Sequence, residues 1–383
     1  MLKKENFLII GSTGRNTGKT EFACNLIKKY ANDNYIIGVK IVAIIKKEGN
    51  CPRGGKGCGV CTSLKGEYEI TEETFIDLNK DTSRMLVAGA NKVYLLKVDK
   101  NFLKEGLQAL IKKIPEKALV IIESNSIRKV LEPALFIVIK NMEDNTIKSS
   151  CAEVIHYANK VIEFNKMSWN FSPDRVISIN NTWIIKEKAT AIILAGGKSS
   201  RMKGVDKSML PINGIPLIQS IVNQLKNHFD EIIIGANDIE KYKFLNLPIV
   251  ADIDKDKGPL MGILSCLKAS NNEVNFITAC DIPIMDIKLI KNMINLSSDV
   301  DIVMPVKNKE EHEPLYAVYK KNIVNFAEMI LNNNERRIIE LFKYTTVKFV
   351  AFNDNQWYQN LNYKKEYLDF VKLNADKQCD KIN

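Results

Sequence analysis

The sequence has 383 residues, of which 45% are hydrophobic and 26% charged, so it is globular rather than disordered and long enough for two domains. Its formal net charge of +10 comes from lysines spread over the whole chain, which favours a phosphate-rich small ligand over nucleic acid. No apolar run has the length of a membrane span, and no signal-peptide core precedes Gly11. We therefore expect a cytoplasmic protein whose eight cysteines are thiols or metal ligands rather than disulfides.

The N-terminal half begins with a predicted strand (6–12), a glycine- and threonine-rich loop and a predicted helix (21–30). This order is typical of a P-loop, in which backbone N–H groups and a helix N-terminus cradle phosphates. Lys19 would reach the β- and γ-phosphates, and the Thr20 hydroxyl would hold Mg²⁺. The loop is a variant, because Thr13 occupies a position at which the pattern has glycine. The candidate nucleotide ligands in the loop are Gly14, Gly18, Lys19 and Thr20.

A glycine-rich insertion at 51–61 carries three cysteines, Cys51, Cys58 and Cys61, with the spacing C-x6-C-x2-C. Three thiolates on such a loop suit Zn²⁺ or an iron–sulfur cluster. A closed site needs a fourth ligand, which Cys24, Cys151 or a second chain could supply. Free surface thiols account for the spacing equally well, and the sequence does not decide between these alternatives.

A second apolar strand, predicted over 117–123, ends in the carboxylate of Glu123. Beside a P-loop, a carboxylate in this position can hold Mg²⁺ or orient a water molecule. A solvated strand end would give the same pattern, so Glu123 has two interpretations of similar weight.

Three further segments of this half match the P-loop's context: Asp81-Thr82-Ser83-Arg84, Ala88-Gly89-Ala90 and Glu123-Ser124-Asn125-Ser126. With the loop, they resemble the GTP-binding molybdopterin-guanine dinucleotide biosynthesis accessory protein over about residues 5–165. That family usually has glycine where Ser124 stands. The resemblance implies a P-loop GTP-binding domain over residues 1–180.

The second half is organised around residues 191–217, where an apolar strand breaks into a glycine pair, Gly196 and Gly197. Glycines let backbone N–H groups approach a ligand that a Cβ would block. Four basic side chains follow within about ten residues. Together with backbone N–H groups at the glycines, they could bind the phosphates of a nucleoside triphosphate. These cations are Lys198, Arg201, Lys203 and Lys207. An ordinary strand, glycine turn and helix is the alternative.

The same stretch resembles the nucleotidyltransferases that load molybdopterin, most closely molybdenum cofactor guanylyltransferase. The matching motifs are Leu194-Ala195-Gly196-Gly197, Ser200-Arg201-Met202 and Gly204-Val205-Asp206-Lys207. Family-like segments follow in order at 236–237, 250–252, 258–262, 280–283, 313–316 and 360–362. The resemblance covers about residues 189–370.

Alternating strands and helices predict an α/β fold with a mostly parallel sheet in the second half. We expect two domains: a P-loop NTPase-like sheet over 1–180 and a Rossmann-like nucleotidyltransferase domain (nucleotide-diphospho-sugar transferase-like) over 189–371, followed by a polar tail at 372–383. Lys186-Glu187-Lys188 is the predicted linker. Ligands of such sheets bind at the carboxyl ends of the strands.

The chemistry of nucleotidyl transfer assigns roles to the residues at those strand ends. Asp281 would hold Mg²⁺, which bridges phosphate oxygens. Lys207 would contact the triphosphate, and Arg201 is a second catalytic candidate because a guanidinium grips phosphate with two N–H groups. The main chain of Leu194, Ala195, Gly196 and Gly197 would bind the nucleotide.

Further roles come only from the resemblance. It implies that Asn237 and Asp252 recognise the base or ribose, although Asp252 also suits a loop turn. Glu313-Pro314 and Arg336-Arg337 are hypothesised to face the pterin phosphate.

The resemblance implies that the chain transfers GMP from GTP to Mo-molybdopterin and releases pyrophosphate, using Mg²⁺. Molybdopterin-synthesis proteins or recipient molybdoenzymes would then be protein partners. Three alternatives stay open: a molybdopterin cytidylyltransferase, a sugar-phosphate nucleotidyltransferase, which usually needs a longer chain than this half, and a non-catalytic P-loop adaptor or carrier in cofactor assembly.

Overall fold

The computed structural model describes residues 1–45, 64, 66–144, 146–196, 206–307, 311–352, 360–361 and 363–379, with the backbone alone for 373–379. The chain divides into two compact units, Met1–Ile185 and Lys186–Asn383. Among the described residues, no helix combines the length and the apolar character needed to cross a membrane.

The first unit alternates strands with helices. Its elements are β1 (Leu2–Ser12), α1 (Lys19–Tyr30), β2 (Ile36–Ile44), β3 (Tyr68–Glu72), α2 (Asp81–Val87), β4 (Lys92–Asp99), α3 (Leu103–Ile111), β5 (Leu119–Glu123), β6 (Leu131–Asn141), α4 (Ser149–Ala152), β7 (Lys160–Phe164), β8 (Val176–Ile179) and β9 (Thr182–Ile185). One sheet has the spatial order β3-β4-β2-β5-β1-β6-β7. Its strands run parallel except at the edge, where β3 pairs antiparallel with β4.

Helices cover both faces of this sheet, which explains why its central strands are continuous apolar runs. Along β1, Leu8 and Ile10 belong to one core with α1 and α2, while Phe7 and Ile9 belong to another with α3. Each fully buried side chain of this size contributes about 1.5–3 kcal/mol to stability. The carboxyl ends of the parallel strands therefore form a rigid edge from which loops present polar side chains.

The first unit extends further than the predicted boundary at residue 180, because β8 and β9 form a hairpin that packs within it. Trp183 is buried, and its Nε1 donates to the carbonyl of Asn6 at 3.0 Å. The Tyr30 hydroxyl donates to the Val176 carbonyl at 3.1 Å.

The second unit also alternates strands and helices. Its elements are β10 (Glu187–Leu194), β11 (Pro211–Ile212), β12 (Ile215–Pro216), α5 (Leu217–Leu225), β13 (Phe229–Gly235), α6 (Ile239–Tyr242), β14 (Ile249–Val250), α7 (Pro259–Ala269), β15 (Val274–Ala279), α8 (Ile287–Leu296), β16 (Ile302–Lys307), β17 (Glu311–His312), β18 (Tyr316–Lys320), α9 (Val324–Asn332), β19 (Val347–Ala351) and α10 (Lys364–Cys379). The main sheet has the order β14-β13-β10-β15-β18-β16-β17, and β19 pairs parallel with β16.

The prediction of a mostly parallel sheet is correct for β14, β13, β10 and β15. In contrast, β18 runs antiparallel to both β15 and β16. A parallel crossover needs a connection of about a dozen residues, and the chain between Lys307 and Tyr316 is shorter than that.

Two local predictions differ from the structure. In the sequence, the helical spacing that includes Ile218 and Leu225 continues to Phe229 and predicts one helix for all three, but Phe229 begins β13, where its ring stacks on Phe276 with centroids 6.0 Å apart. The predicted linker includes Glu187 and Lys188, yet both lie in β10, and the Glu187 N–H donates to the His228 carbonyl at 2.7 Å. Helical periodicity alone could not separate α5 from the strand that follows it.

The predicted polar tail begins inside α10, whose backbone stays helical from Lys364 to Cys379. Lysine, leucine, alanine and glutamine all have high helix propensity, which explains a helix in this polar sequence.

Candidate functional sites

Three parallel strands of the second unit end side by side. Leu194 at the end of β10 pairs with Gly235 of β13 and with Ala279 of β15. The residues that follow each strand therefore converge, as the sheet's parallel order requires. They surround a cavity of about 640 Å³. Its lining includes Gly196, Lys207, Asn237, Asp252 and Asp281.

Lys207 and Asp281 face each other in this cavity. The Lys207 ammonium Nζ is 3.4 Å from Oδ2 of Asp281, and the side chains are 14% and 24% exposed. The structure thus brings together the predicted triphosphate ligand and the predicted metal ligand. The two charges balance each other, and both side chains are partly buried. A phosphate could bind beside the lysine and a cation beside the carboxylate.

The Asp281 carboxylate is a suitable oxygen ligand for Mg²⁺. No group of three or more acidic, histidine or cysteine side chains forms a metal cage within the described residues. Burial, reinforced by Asp281, raises the pKa of the neighbouring Cys280 thiol to about 12. Mg²⁺ prefers oxygen ligands to sulfur, so Asp281 rather than Cys280 is the candidate ligand. The donor set fits a magnesium ion held by one carboxylate and by phosphate oxygens.

Asn237 and Asp252 form a reciprocal pair in the lining of the same cavity. The Asn237 Nδ2 donates to Oδ2 of Asp252 at 2.9 Å, and the Asp252 backbone N–H donates to Asn237 Oδ1 at the same distance. Gly262 of α7 lies opposite, where a Cβ would come within 3.4 Å of the other oxygen, Oδ1 of Asp252. The pair fixes the direction of the carboxylate, and glycine keeps space in front of it.

A polar network that could not be predicted from the sequence joins two residues of the cavity lining, Ala195 and Asp206. The buried Tyr242 hydroxyl donates to the Ala195 carbonyl at 3.2 Å and lies 2.9 Å from the Ser208 hydroxyl. Ser208 in turn donates to Oδ1 of Asp206 at 2.7 Å, and Lys241 forms an ion pair with the same carboxylate. The network ties the end of β10 to the segment that carries Lys207.

The predicted pterin-phosphate residues do not act as one group. Arg336 donates from Nη1 to the carbonyl of Asp256, which lines the cavity, at 3.0 Å. Arg337 instead pairs with Glu340 at 2.7 Å. Leu315 lines the cavity, so the 313–316 segment reaches it through an apolar side chain.

In the first unit, the predicted P-loop residues lie at the carboxyl ends of β1 and β5. Lys19 begins α1 and donates from Nζ to the Ser12 hydroxyl at 2.9 Å, and the Thr20 hydroxyl donates to Oε2 of Glu123 at 3.0 Å. Glu123 is only 5% exposed, which excludes a solvated strand end. Its Oε1 lies 3.9 Å from Lys19 Nζ.

Glycine is required at one position of this loop. Gly18 has a φ of +69°, and a Cβ there would approach the rings of Phe164 and Trp169 to 3.1 and 3.2 Å. At Gly14, a Cβ would meet only Thr17, at an ordinary 3.7 Å. The loop therefore turns sharply immediately before the helix begins.

A cavity of about 650 Å³ opens beside Lys19 and Glu123, and most of its charged side chains are basic. Burial lowers the pKa of Lys19, nearby Lys40 lowers it further, and Glu123 acts in the opposite direction. Lys40, which the sequence analysis did not select, lies 3.7 Å from Oε1 of Glu123. The basic residues of the lining are Arg15, Lys19, Lys40, Lys100 and Lys148.

Several predicted residues lie outside the described part of the chain: Gly197, Arg201, Cys51, Cys58 and Cys61. The two internal candidates for a fourth cysteine ligand, Cys24 and Cys151, are buried in different cores of the first unit. Burial raises the pKa of each thiol.

Comparison with known proteins gives matches over about half of the chain. The family model for the MobA-like NTP transferase domain matches residues 191–347. A probable molybdenum cofactor guanylyltransferase of Carboxydothermus hydrogenoformans is 35% identical over 190 residues, which are 50% of this chain and 93% of that protein. The molybdenum cofactor guanylyltransferase of Vibrio atlanticus is 32% identical over 194 residues, 50% of this chain and 99% of that protein. A crystal structure of molybdopterin-guanine dinucleotide biosynthesis protein A from Archaeoglobus fulgidus aligns with a TM-score of 0.43 at 17% identity, covering 49% of this chain and 99% of that one.

Proposed function

Because the chain belongs, through its C-terminal half, to the molybdenum cofactor guanylyltransferases, we propose that it transfers GMP from GTP to Mo-molybdopterin and releases pyrophosphate. The observation that carries this proposal is the 3.4 Å contact between Lys207 and Asp281 in a cavity at the carboxyl ends of β10 and β15. One positive and one negative side chain there match the two needs of the reaction, a ligand for the triphosphate and a ligand for its cation.

The chemistry asks mainly for positioning and charge neutralisation. The attacking phosphate is already an anion, so no strong general base is needed, and the transition state gains charge on the α-phosphate and the leaving pyrophosphate. Lys207 stabilises the charge on the leaving side. Asp281 would hold Mg²⁺, which would supply further neutralisation of the phosphate charge. Main-chain groups of Leu194, Ala195 and Gly196 bind the nucleotide beside them, and Gly197 and Arg201 stay predicted ligands.

Asn237 and Asp252 are proposed to select guanine. A carboxylate can accept from N1–H and from the N2 amino group of guanine together, which adenine and cytosine do not offer in the same arrangement. Support comes from the reciprocal hydrogen bonds that fix the Asp252 carboxylate and from the space in front of Gly262.

For the first unit we propose an accessory role, in which the loop that ends in Gly18, Lys19 and Thr20 binds GTP. Lys19 contacts Ser12 and Thr20 contacts Glu123 at the edge of the cavity. Helix α1 begins directly after Gly18. Thr20 and Glu123 are oxygen donors only 3.0 Å apart, a suitable pair for Mg²⁺. The unit would thus add a GTP-binding accessory domain to the transferase, while Zn²⁺, an iron–sulfur cluster or free thiols stay open for the cysteine loop.

Turnover with a panel of nucleotides tests the proposal. The purified 383-residue chain is incubated with Mo-molybdopterin, Mg²⁺ and GTP, CTP, ATP or UTP, and dinucleotide and pyrophosphate are measured. Product is expected with GTP, at a rate far above that with any other nucleotide. A rate with CTP equal to or above that with GTP would retain the fold and mechanism but overturn the assignment of Asn237 and Asp252. No product with any nucleotide, from folded protein, would favour the sugar-nucleotide or adaptor alternatives.

A further inference from the structure

Lys40 occupies a charged position that the nucleotide proposal does not yet use. It lies on β2 and lines the cavity of the first unit. Its ammonium is 3.7 Å from Oε1 of Glu123 and forms an ion pair with Asp81, the first residue of α2. Lys40 is a lysine on an otherwise apolar strand, it lies between two carboxylates, and it faces a cavity. This combination indicates a ligand-binding role rather than a packing role.

The order of the strands indicates which part of a nucleotide Lys40 would meet. The sheet places β5 between β1, which leads into the loop, and β2. Glu123 pairs in register with Ile10 of β1 and with Lys40 of β2, so the loop, the carboxylate and Lys40 lie at one level. A phosphate chain that starts over the loop and reaches the metal ligand Glu123 therefore points its last phosphate towards β2.

From this geometry we infer that Lys40 binds the terminal phosphate of the nucleoside triphosphate. We also infer that this binding changes the structure of residues 73–84. The inference rests on the proposed GTP site of the first unit. Glu123 accepts from Thr20 and faces Lys19 and Lys40. If Thr20 and Glu123 held Mg²⁺, the ion would compete with both lysines for the carboxylate, and the phosphates would supply the negative charge that pairs with the lysines instead.

Asp81 connects this site to an exposed apolar segment. Next to Asp81 on α2, Thr82 donates to Oε2 of Glu73 at 2.7 Å. Ser83 donates to the Phe75 carbonyl at 2.7 Å and accepts from the Asp77 N–H at 2.6 Å. Three side chains of the segment so held are strongly exposed, Phe75 at 75%, Ile76 at 76% and Leu78 at 64%. A shift of Lys40 towards phosphate would change its ion pair with Asp81. Because Thr82 and Ser83 follow Asp81 in the first turn of α2, their hydrogen bonds to residues 73–77 would change with it.

Hydrogen exchange of the 383-residue chain measures both parts of the inference. Protection of residues 7–27 reports nucleotide binding to the first unit alone, so binding to the second unit does not interfere. We compare GDP with a non-hydrolysable GTP analogue, both with Mg²⁺. In Lys40→Met, the half-saturating concentration of the triphosphate should rise about 10-fold, as expected for one lost charge-assisted hydrogen bond, while that of GDP stays within about 2-fold. In the wild type, the triphosphate but not GDP should alter exchange of residues 73–84.

Two further variants make the test specific. Lys92 begins the neighbouring strand β4, where it is in register with Ile37 rather than with Lys40, and its ammonium lies 3.3 Å from Glu72. Lys92→Met should therefore leave both half-saturating concentrations unchanged. Asp81→Asn keeps Lys40 and should retain the preference for triphosphate while losing the response of residues 73–84.

Each contrary outcome has its own meaning. An equal loss of GDP and triphosphate binding in Lys40→Met would overturn the role of Lys40 and leave the loop as a nucleotide site. A response of residues 73–84 that persists in Asp81→Asn would overturn the link through Asp81. Absence of protection in residues 7–27 of the wild type with either nucleotide would overturn both this inference and the proposed GTP site.

Discussion

The carboxylate of Asp281 lies 3.4 Å from the ammonium of Lys207, although 74 residues separate the two along the chain. Adjacent parallel strands create this contact, because β10 and β15 end together and the segments that follow them share one edge of the sheet. Each group satisfies the other's charge. Under the proposed function, a triphosphate would pair with Lys207 and its Mg²⁺ with Asp281, each through a stronger charge-assisted contact.

Tyr242→Phe should lower catalytic efficiency while retaining the fold. The substitution removes the hydroxyl that bonds Ala195 and Ser208 but keeps the buried ring. We expect kcat/KM for GTP to fall about 5- to 10-fold and the free energy of unfolding to fall by about 1 kcal/mol. Steady-state kinetics and urea denaturation measure the two effects.

Tyr316→Phe is the matched control for that experiment. Tyr316 is also buried, and its hydroxyl accepts from the Asp286 N–H at 2.9 Å, at the start of α8. A similar loss of stability with kcat/KM changed less than about 2-fold is expected. If both variants lost activity in proportion to stability, Tyr242 would have no positioning role.

Asp252→Asn should weaken the choice of base. The amide replaces a carboxylate oxygen with a donor, which opposes the N–H groups of guanine and leaves one of them unpaired. We expect kcat/KM for GTP to fall about 10- to 100-fold, with CTP affected much less. Asp254→Asn is the control, because Asp254 is exposed on the same loop and pairs with Lys257 at 3.5 Å. Equal losses for GTP and CTP would contradict the assignment of Asp252.

The stability of the second unit should depend on pH through His228. Burial, with a smaller contribution from Lys291, lowers the pKa of His228 from 6.5 to about 4. Between these two values the unfolded chain binds the proton and the folded chain does not, so the stabilisation is complete above about pH 6.5 and is lost as the pH falls towards 4.

Urea denaturation at pH 7.0 and 5.0 measures this effect. His228→Leu should have a smaller difference between the two pH values than the wild type. The backbone carbonyl of His228 still accepts from Glu187 in the variant, so the start of β10 keeps its hydrogen bond. An unchanged pH dependence in His228→Leu would assign the effect to other groups.

Much of the second unit's site could be predicted from the sequence, because it depends on local features. An apolar strand followed by glycines and cations identifies the end of β10, and parallel strands bring their carboxyl ends together, which places Lys207 near Asp281. The direction of β18 could not be predicted in the same way. Periodicity identifies a strand, but the length of its connections determines whether it runs parallel.

Lys40 and Tyr242 could not be selected from the sequence for a different reason. Lys40 is an interruption in an apolar run, and Tyr242 is an aromatic residue in a short helix, a pattern typical of a core position. Their partners come from distant segments, Asp81 and Glu123 for the first and Ala195 and Ser208 for the second. These contacts form only when the chain folds, so sequence spacing does not predict them.

The most direct test of the central claim is guanine dinucleotide formation from GTP and Mo-molybdopterin by the wild type and Asp281→Asn, with Glu328→Gln as a control. Glu328 pairs with Lys268 on helices α9 and α7 of the same unit. We predict that Asp281→Asn stays folded and loses about 100- to 1,000-fold in kcat, the scale of one lost electrostatic contact to a transition state, while Glu328→Gln keeps wild-type activity. Undiminished dinucleotide formation by folded Asp281→Asn would contradict the assignment of this cavity as the site of transfer.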